Sequence, residues 1–154
     1  LPSSQISIMP VFNSEITLSA DPKKLFTLVT DYENYQKAFP DQLNEVSVIS
    51  RKDSEVVTKE VLTFNIHLKN TKLYQKTIHI ADYPRLVSNV IEGPFKGTVI
   101  RIKFDKLDNG SKVSVNAELK ISLKYKFLSP IIKSKYKTIL TSLLYKMNNI
   151  AMES

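Results

Sequence analysis

The stretch from Ser129 to Ile150 constrains this chain most. Ile132, Tyr136, Ile139, Leu140, Leu143, Met147 and Ile150 follow one another at gaps of three and four, the adjacent pair Ile139-Leu140 apart. That spacing puts them on one stripe of an α-helix. Lys133, Lys135, Lys137, Lys146 and Asn148 fall mostly on the other side. Ser129 is a suitable N-cap, and Pro130 stands at the first helical position, where a missing N–H costs nothing. The pattern predicts a helix roughly 30 Å long. Burying about seven apolar side chains contributes on the order of 10–20 kcal/mol gross, before chain entropy is subtracted. No other segment can bury so much on one face.

The rest reads mainly as strands. Val11 to Leu18 alternates as a first strand with a mostly apolar face. Asp21-Pro22 opens a short helix with Leu25, Phe26, Leu28 and Val29 on its apolar side. Tyr32 to Ala38 predicts a second short helix, stopped before Pro40. Six strands follow: Val46 to Ile49, Val56 to Ile66, Leu73 to Ile80, Leu86 to Ile91, Thr98 to Phe104 and Val113 to Leu123. In the third strand of the chain Leu62, Phe64 and Ile66 share a face. In the fourth, Tyr74, Ile78 and Ile80 are expected to point inward. Asp108-Asn109-Gly110 is a strong hairpin turn. The expectation is an α+β fold: a curved antiparallel sheet of about seven strands, two short helices after the first strand, and the long helix laid across the concave face. With no repeat or linker, residues 9–154 read as a single domain. Residues 1–8 are an N-terminal extension or a cloning remnant.

Composition narrows the function classes. The chain has 154 residues, 42% hydrophobic and 24% charged, ordinary values that point to neither disorder nor a membrane protein. It has no Cys, so no disulfide, thiolate nucleophile or Cys-held metal is available. LPSSQISIMP lacks the basic and apolar regions of a signal peptide, and a cytoplasmic location is expected. The net charge of +7 is carried almost wholly by Lys, with Arg only at 51, 85 and 101. Such a surface attracts anionic lipid or nucleic acid weakly, and a solvated Lys-rich face is the more ordinary reading. Lys124, Lys126, Lys133, Lys135 and Lys137 cluster around the start of the long helix.

Two segments are motif-like. Leu25-Phe26-Thr27-Leu28-Val29-Thr30-Asp31-Tyr32-Glu33-Asn34-Tyr35, ending at Phe39-Pro40, is the first. Glu92-Gly93-Pro94-Phe95-Lys96, followed by Phe104, is the second. With the order of elements, they resemble the START-like (SRPBCC) superfamily with its helix-grip fold, and within it the polyketide cyclase/dehydrase and lipid transport family and the coenzyme Q-binding branch. The chain departs from that branch's pattern at Gln36, Asp41 and Ile102. The resemblance implies binding or carrying a hydrophobic small molecule, a lipid or polyprenyl quinone, in a cavity between the sheet and the last helix. It brings no cofactor.

The residues expected to line such a cavity are Tyr35, Phe39, Phe64, Tyr74, Phe95, Phe104, Tyr136, Leu140 and Met147, with Tyr hydroxyls as its few polar points. Gly93 to Gly97 is read as a turn between strands, with a gate over the cavity as the alternative. His79 alternates with Ile78 and Ile80 and is placed on the outer face; His67 lies near a strand end. Neither stands in a metal-ligand spacing. Glu60 and Glu118 are placed on polar faces. No nucleophile elbow or phosphate-binding loop is present, so there is no positive evidence for catalysis. Three functions follow in order: a non-catalytic carrier of a hydrophobic ligand that contacts an anionic membrane through its lysines; a cyclase- or dehydratase-like enzyme, which a buried carboxylate or His facing the cavity would support; and a ribosome- or RNA-associated basic module.

Overall fold

A computed structural model describes residues 10–35, 43–66 and 68–153. Phe39, Pro40 and His67 lie outside them. Strand β1 is Val11–Leu18 and helix α1 is Pro22–Val29, followed by a 3₁₀ turn at Tyr32–Asn34. Strands β2 (Leu43–Lys52), β3 (Glu55–Ile66), β4 (Lys69–Asp82), β5 (Arg85–Glu92), β6 (Val99–Leu107) and β7 (Gly110–Glu118) come next. A 3₁₀ turn at Leu123–Leu128 leads into α2, Ser129–Glu153.

The sheet has seven strands in the order β1-β7-β6-β5-β4-β3-β2, each antiparallel to its neighbours. Consecutive hairpins build everything from β2 to β7. One crossing, made by α1 and the segment after it, carries the chain from β1 at one edge to β2 at the other. The sheet curves around α2, as the sequence predicts. Strand β7 ends at Glu118 rather than Leu123, and Leu119 and Ile121 stay buried beyond it.

Local chemistry fixes the ends. The Asp21 carboxylate accepts from the backbone N–H groups of Lys23 and Lys24 (3.0 and 3.4 Å), capping α1. Between β6 and β7, Leu107 pairs with Gly110, so the turn itself is Asp108-Asn109 and the glycine opens the strand. Gly110 has φ +140°, and a Cβ there would come within 2.1 Å of the Leu18 carbonyl. Only glycine fits.

Helix α2 buries Ile132, Tyr136, Leu143, Leu144, Met147 and Ala151. The stripe is rotated near its end from that expected: Leu144 is 0% exposed, whereas Ile150 is 40% exposed. Asn148, placed by the pattern on the outer face, instead ties the helix to the β1–α1 corner. Its Oδ1 accepts from Ala20 N–H (2.9 Å) and its Nδ2 donates to Ser19 Oγ (3.3 Å). The Ser111 hydroxyl donates to the Ala20 carbonyl (2.5 Å), so both backbone groups of Ala20 are satisfied.

Strand β4 turns inward the face opposite to the one its apolar residues predict. Thr58 and Glu60 of β3 stand opposite Thr77 and Gln75 of β4, and paired residues project to the same side of a sheet. The inner face of β4 is therefore Leu73, Gln75, Thr77 and His79, not Tyr74, Ile78 and Ile80. Tyr74 is 57% exposed on the outside. The same parity puts Glu60 inside, beside Leu62 and Phe64, rather than on a polar face.

The helix register gives a direct test. Leu144→Ala should lower stability by about 2–5 kcal/mol through transfer and cavity terms, while Ile150→Ala should cost less than about 1 kcal/mol. Urea unfolding measures both. Equal losses would contradict the register described.

Candidate functional site

Between α2 and the inner face of the sheet lies a cavity of about 110 Å³. Its apolar walls come from Val29 at the end of α1, Val46 and Leu62 of β2 and β3, Leu86, Val90, Ile100 and Ile102 of β5 and β6, and Ile139, Leu140 and Leu143 of α2. Its floor is polar. Thr58 and Glu60 of β3, Gln75, Thr77 and His79 of β4 and Ser88 of β5 occupy adjoining positions there. Tyr32 and Tyr35 close one side and Tyr136 descends from α2. No Lys or Arg lines the cavity among the described residues.

The floor is a hydrogen-bonded set with loose ends. Thr58 Oγ1 and Ser88 Oγ flank the His79 ring at 2.7 Å from Nε2 and 2.7 Å from Nδ1. A neutral imidazole meets both, donating to one hydroxyl and accepting from the other. The Tyr32 ring stacks on His79 at 4.3 Å between centroids, with 23° between planes. Burial holds the His79 pKa down to about 4, so the ring is neutral at physiological pH. The Thr77 hydroxyl donates to Glu60 Oε1 (2.5 Å), and the Tyr136 hydroxyl donates to Gln75 Oε1 (3.2 Å). Tyr35 donates to the carbonyl of Val29. Two buried side-chain atoms remain without a hydrogen-bond partner among the described residues: Glu60 Oε2 and the Tyr32 hydroxyl. Their residues are 8% and 2% exposed. Burial pushes the Glu60 carboxyl up to about 7, with its hydrogen bond from Thr77 and the nearby Gln75 and Thr58 pulling partway back.

The residues expected to line a cavity divide. Tyr35, Tyr136 and Leu140 do line it. Phe64, Phe95 and Phe104 are packed into the core. Phe95 meets Phe64 (5.7 Å) and Tyr136 (5.6 Å) with rings steeply inclined, which makes a solid aromatic end wall. Phe104 packs edge-on against Phe26 of α1 (5.5 Å). Met147 is buried in the core and does not line the cavity. Tyr74 points away from it, because it shares the outer parity of β4. His79 is the reverse case, placed outside by its isoleucine neighbours and found on the inner face. The Gly93–Gly97 segment is a pinned turn. Gly97 N–H bonds to Val90 O (2.8 Å), Thr98 N–H to Phe95 O (3.0 Å), and Ser122 N–H to Pro94 O (3.1 Å).

The polar floor was the part that sequence reading missed, yet a signal existed. Thr58, Glu60, Leu62 and Phe64 stand two residues apart on one strand, so the two apolar members already assign Glu60 to the inside. For β4 the pattern misleads, because its outer face carries more apolar residues (Tyr74, Ile78, Ile80) than its inner one (Leu73, Gln75, Thr77, His79).

Two buried groups with opposite shifts predict a particular pH profile. Folded Glu60 keeps its proton to about pH 7, whereas an ordinary glutamate releases it near 4.5. Its contribution to stability is therefore full below pH 4.5 and lost as the pH rises through 7. Folded His79 resists protonation down to about pH 4 against an ordinary 6.5. Its contribution is full above pH 6.5 and lost as the pH falls through 4. In the overlapping window the two oppose each other, and wild-type stability should be nearly level there before declining toward pH 8. Glu60→Gln removes the first effect. The stability difference between variant and wild type should shift in the variant's favour by about 3 kcal/mol from pH 4 to pH 8. Urea titrations across that range check it, and parallel profiles would contradict the burial of an ionisable Glu60.

Among curated proteins none matches the sequence. Solved structures do match the fold. TTHA0849 from Thermus thermophilus superimposes with a TM-score of 0.78 at 16% identity, covering 94% of this chain and 98% of that one. The Zhui aromatase/cyclase from Streptomyces sp. R1128 gives 0.74 at 11% identity, with 91% and 94% covered. A START superfamily protein from Mycobacterium smegmatis gives 0.66 at 15% identity, with 93% and 97% covered. At such identities the likeness is one of fold. The sequence itself carries the family: residues 18–147 match the model of polyketide cyclase / dehydrase and lipid transport proteins, and the chain belongs to that family.

Proposed function

We propose that this protein binds a small hydrophobic molecule in the cavity between α2 and the sheet, without changing it chemically. The observation that carries this is the cavity's make-up: apolar walls, a short row of polar groups at the floor, and two buried polar atoms with no partner among the described residues. Ligand sites are commonly of this kind, mostly apolar with a few placed polar groups. The volume of about 110 Å³ admits several waters. It falls below the roughly 300–1,000 Å³ usual for drug-sized ligands. A compact ring system therefore fits the site better than a long chain, and a polyprenyl quinone would enter with its ring at the floor only as α2 moves outward.

A neutral fluorescent probe, N-phenyl-1-naphthylamine, tests the cavity. It should bind with its emission enhanced. Leu140→Trp, which fills the space beneath α2, should weaken binding by roughly tenfold or more, with the fold checked by circular dichroism. Equal binding by that variant would place the ligand elsewhere, and absence of binding to the wild type would defeat the proposal.

One observation favours a second reading, an enzyme of the cyclase or dehydratase kind. The Glu60 carboxyl, titrating at about 7 inside the cavity, is suited to accept or give a proton at neutral pH. Neighbours of similar fold include aromatase/cyclases. Recovery of a bound molecule in altered form from wild type, and unaltered from Glu60→Gln, would replace the carrier reading with this one.

We also propose that the end of the molecule around the start of α2 rests on an anionic membrane. Phe127, Leu123 and Ile131 are exposed there among Lys124, Lys126 and Lys135. Phe64 and Asn65 of β3 border one cleft with Ile131 and Lys135, so the exposed Leu68 just beyond β3 belongs to the same end. Apolar side chains set among cations suit insertion between anionic headgroups. Sedimentation with phosphatidylglycerol vesicles should show salt-sensitive binding. The double change Leu123→Ser with Phe127→Ser should weaken it several-fold without altering charge. Unchanged binding would remove the apolar residues from the account.

A further inference from the structure

Glu60 and Tyr32, which line the cavity, each carry a buried atom without a hydrogen-bond partner among the described residues, and the two atoms differ in what they require. Glu60 Oε2 is an acceptor when the carboxyl is ionised, and the Tyr32 hydroxyl is a donor. Neither is reachable by bulk water, since both atoms are buried. Leaving such groups unpaired costs on the order of 1–3 kcal/mol each, which a correctly shaped ligand group would recover.

We infer that the cavity selects a ligand whose polar group is an uncharged hydroxyl (a phenol, enol or alcohol) on an apolar body, and that it rejects carboxylates and phosphates. This rests on the reading of the cavity as a ligand site. A hydroxyl donates to a carboxylate oxygen such as Glu60 Oε2 and accepts from a phenol such as Tyr32, so it suits either atom. An anion meets the opposite arrangement. Among the described residues, the charged or titratable groups facing Glu60 are Tyr35 beside Tyr32, His79 on β4, and Tyr136 on α2. Burial holds the phenols protonated and the imidazole neutral, so none offers a positive charge. Arg51, whose charge acts on the Tyr32 hydroxyl, is paired with Glu33 on the surface. An anionic ligand would have to enter an enclosed space lined, among the described residues, by no Lys or Arg and with a carboxylate at its floor.

The cost of admitting an anion is set by Glu60. The carboxyl must first take up a proton. For a group titrating at about 7 this costs about a factor of ten at pH 8 and almost nothing at pH 5.5. His79 remains neutral at both values. Anion rejection is therefore a property of neutral and alkaline solution, and it weakens on acidification.

The test compares 2-naphthol with 2-naphthoate, two probes of one ring system, by calorimetric titration of the intact protein. Naphthol should bind at least about tenfold more tightly at pH 8, and naphthoate should gain on it by about that factor at pH 5.5. Glu60→Gln should remove most of the discrimination and its pH dependence. Tyr32→Phe should weaken naphthol several-fold while keeping the pH dependence of naphthoate. Neither change removes a satisfied hydrogen bond from the unpartnered atoms, so both variants should fold; thermal melting verifies it. Equal affinities at pH 8, or a naphthol affinity indifferent to both substitutions, would overturn this inference while leaving the cavity a binding site. If neither naphthalene compound nor N-phenyl-1-naphthylamine bound, the binding reading itself would fall, and this inference with it.

Discussion

Everything distinctive here depends on how α2 lies on the sheet. One end of the helix is packed solid: Tyr136 meets Phe95, which meets Phe64. The other end is anchored where Asn148 holds the backbone N–H of Ala20 and Leu144, Met147 and Ala151 sink into the core. Between these anchors Ile139 and Leu140 are only half-buried, because the sheet beneath them curves away. A rigid helix cannot follow a curved sheet, so a space remains at mid-span. The cavity is thus a geometric consequence of two well-packed ends.

The floor of that space determines its chemistry. Close-packed interiors ordinarily exclude polar groups or satisfy them fully. Here three adjacent strands bring Thr, Glu, Gln, His and Ser to one patch of the inner face. Most of these groups satisfy each other: Thr58 and Ser88 with His79, Thr77 with Glu60, Tyr136 with Gln75. Among the described residues, an oxygen of Glu60 and the hydroxyl of Tyr32 are left over. A protein selected only for stability would gain by replacing Glu60 with an apolar residue. Its presence beneath a cavity accords with function, where local cost is tolerated for recognition or chemistry.

Much of this architecture was legible in the sequence. The three- and four-residue spacing from Ile132 to Met147, the capping pair Asp21-Pro22, and the alternation from Val113 through Ala117 each determine an element from local physics alone. The rotation of α2 near Ile150 was not legible, since Leu144 and Ile150 are equally apolar and only the β1–α1 corner decides which is covered. The parity of β4 escaped for a related reason: Tyr74, Ile78 and Ile80 look like an inner face until cross-strand pairing with Glu60 is known. Glu60 itself could have been placed from Leu62 and Phe64. The aromatic residues suggest a ligand site, yet Phe64 and Phe95 build the end wall and Phe104 packs against Phe26 of α1, while the site's character lies in smaller polar residues that carry no strong pattern.

The central claim is that the space under α2 holds a hydrophobic molecule with a polar group at the floor beside Glu60. Native mass spectrometry of gently purified protein, followed by organic extraction and identification of what is released, tests it most directly. The expected result is one neutral, hydroxyl-bearing hydrophobic molecule per chain, displaced in Leu140→Trp. Protein that arrives empty and takes up no neutral hydrophobic compound in titration would contradict it.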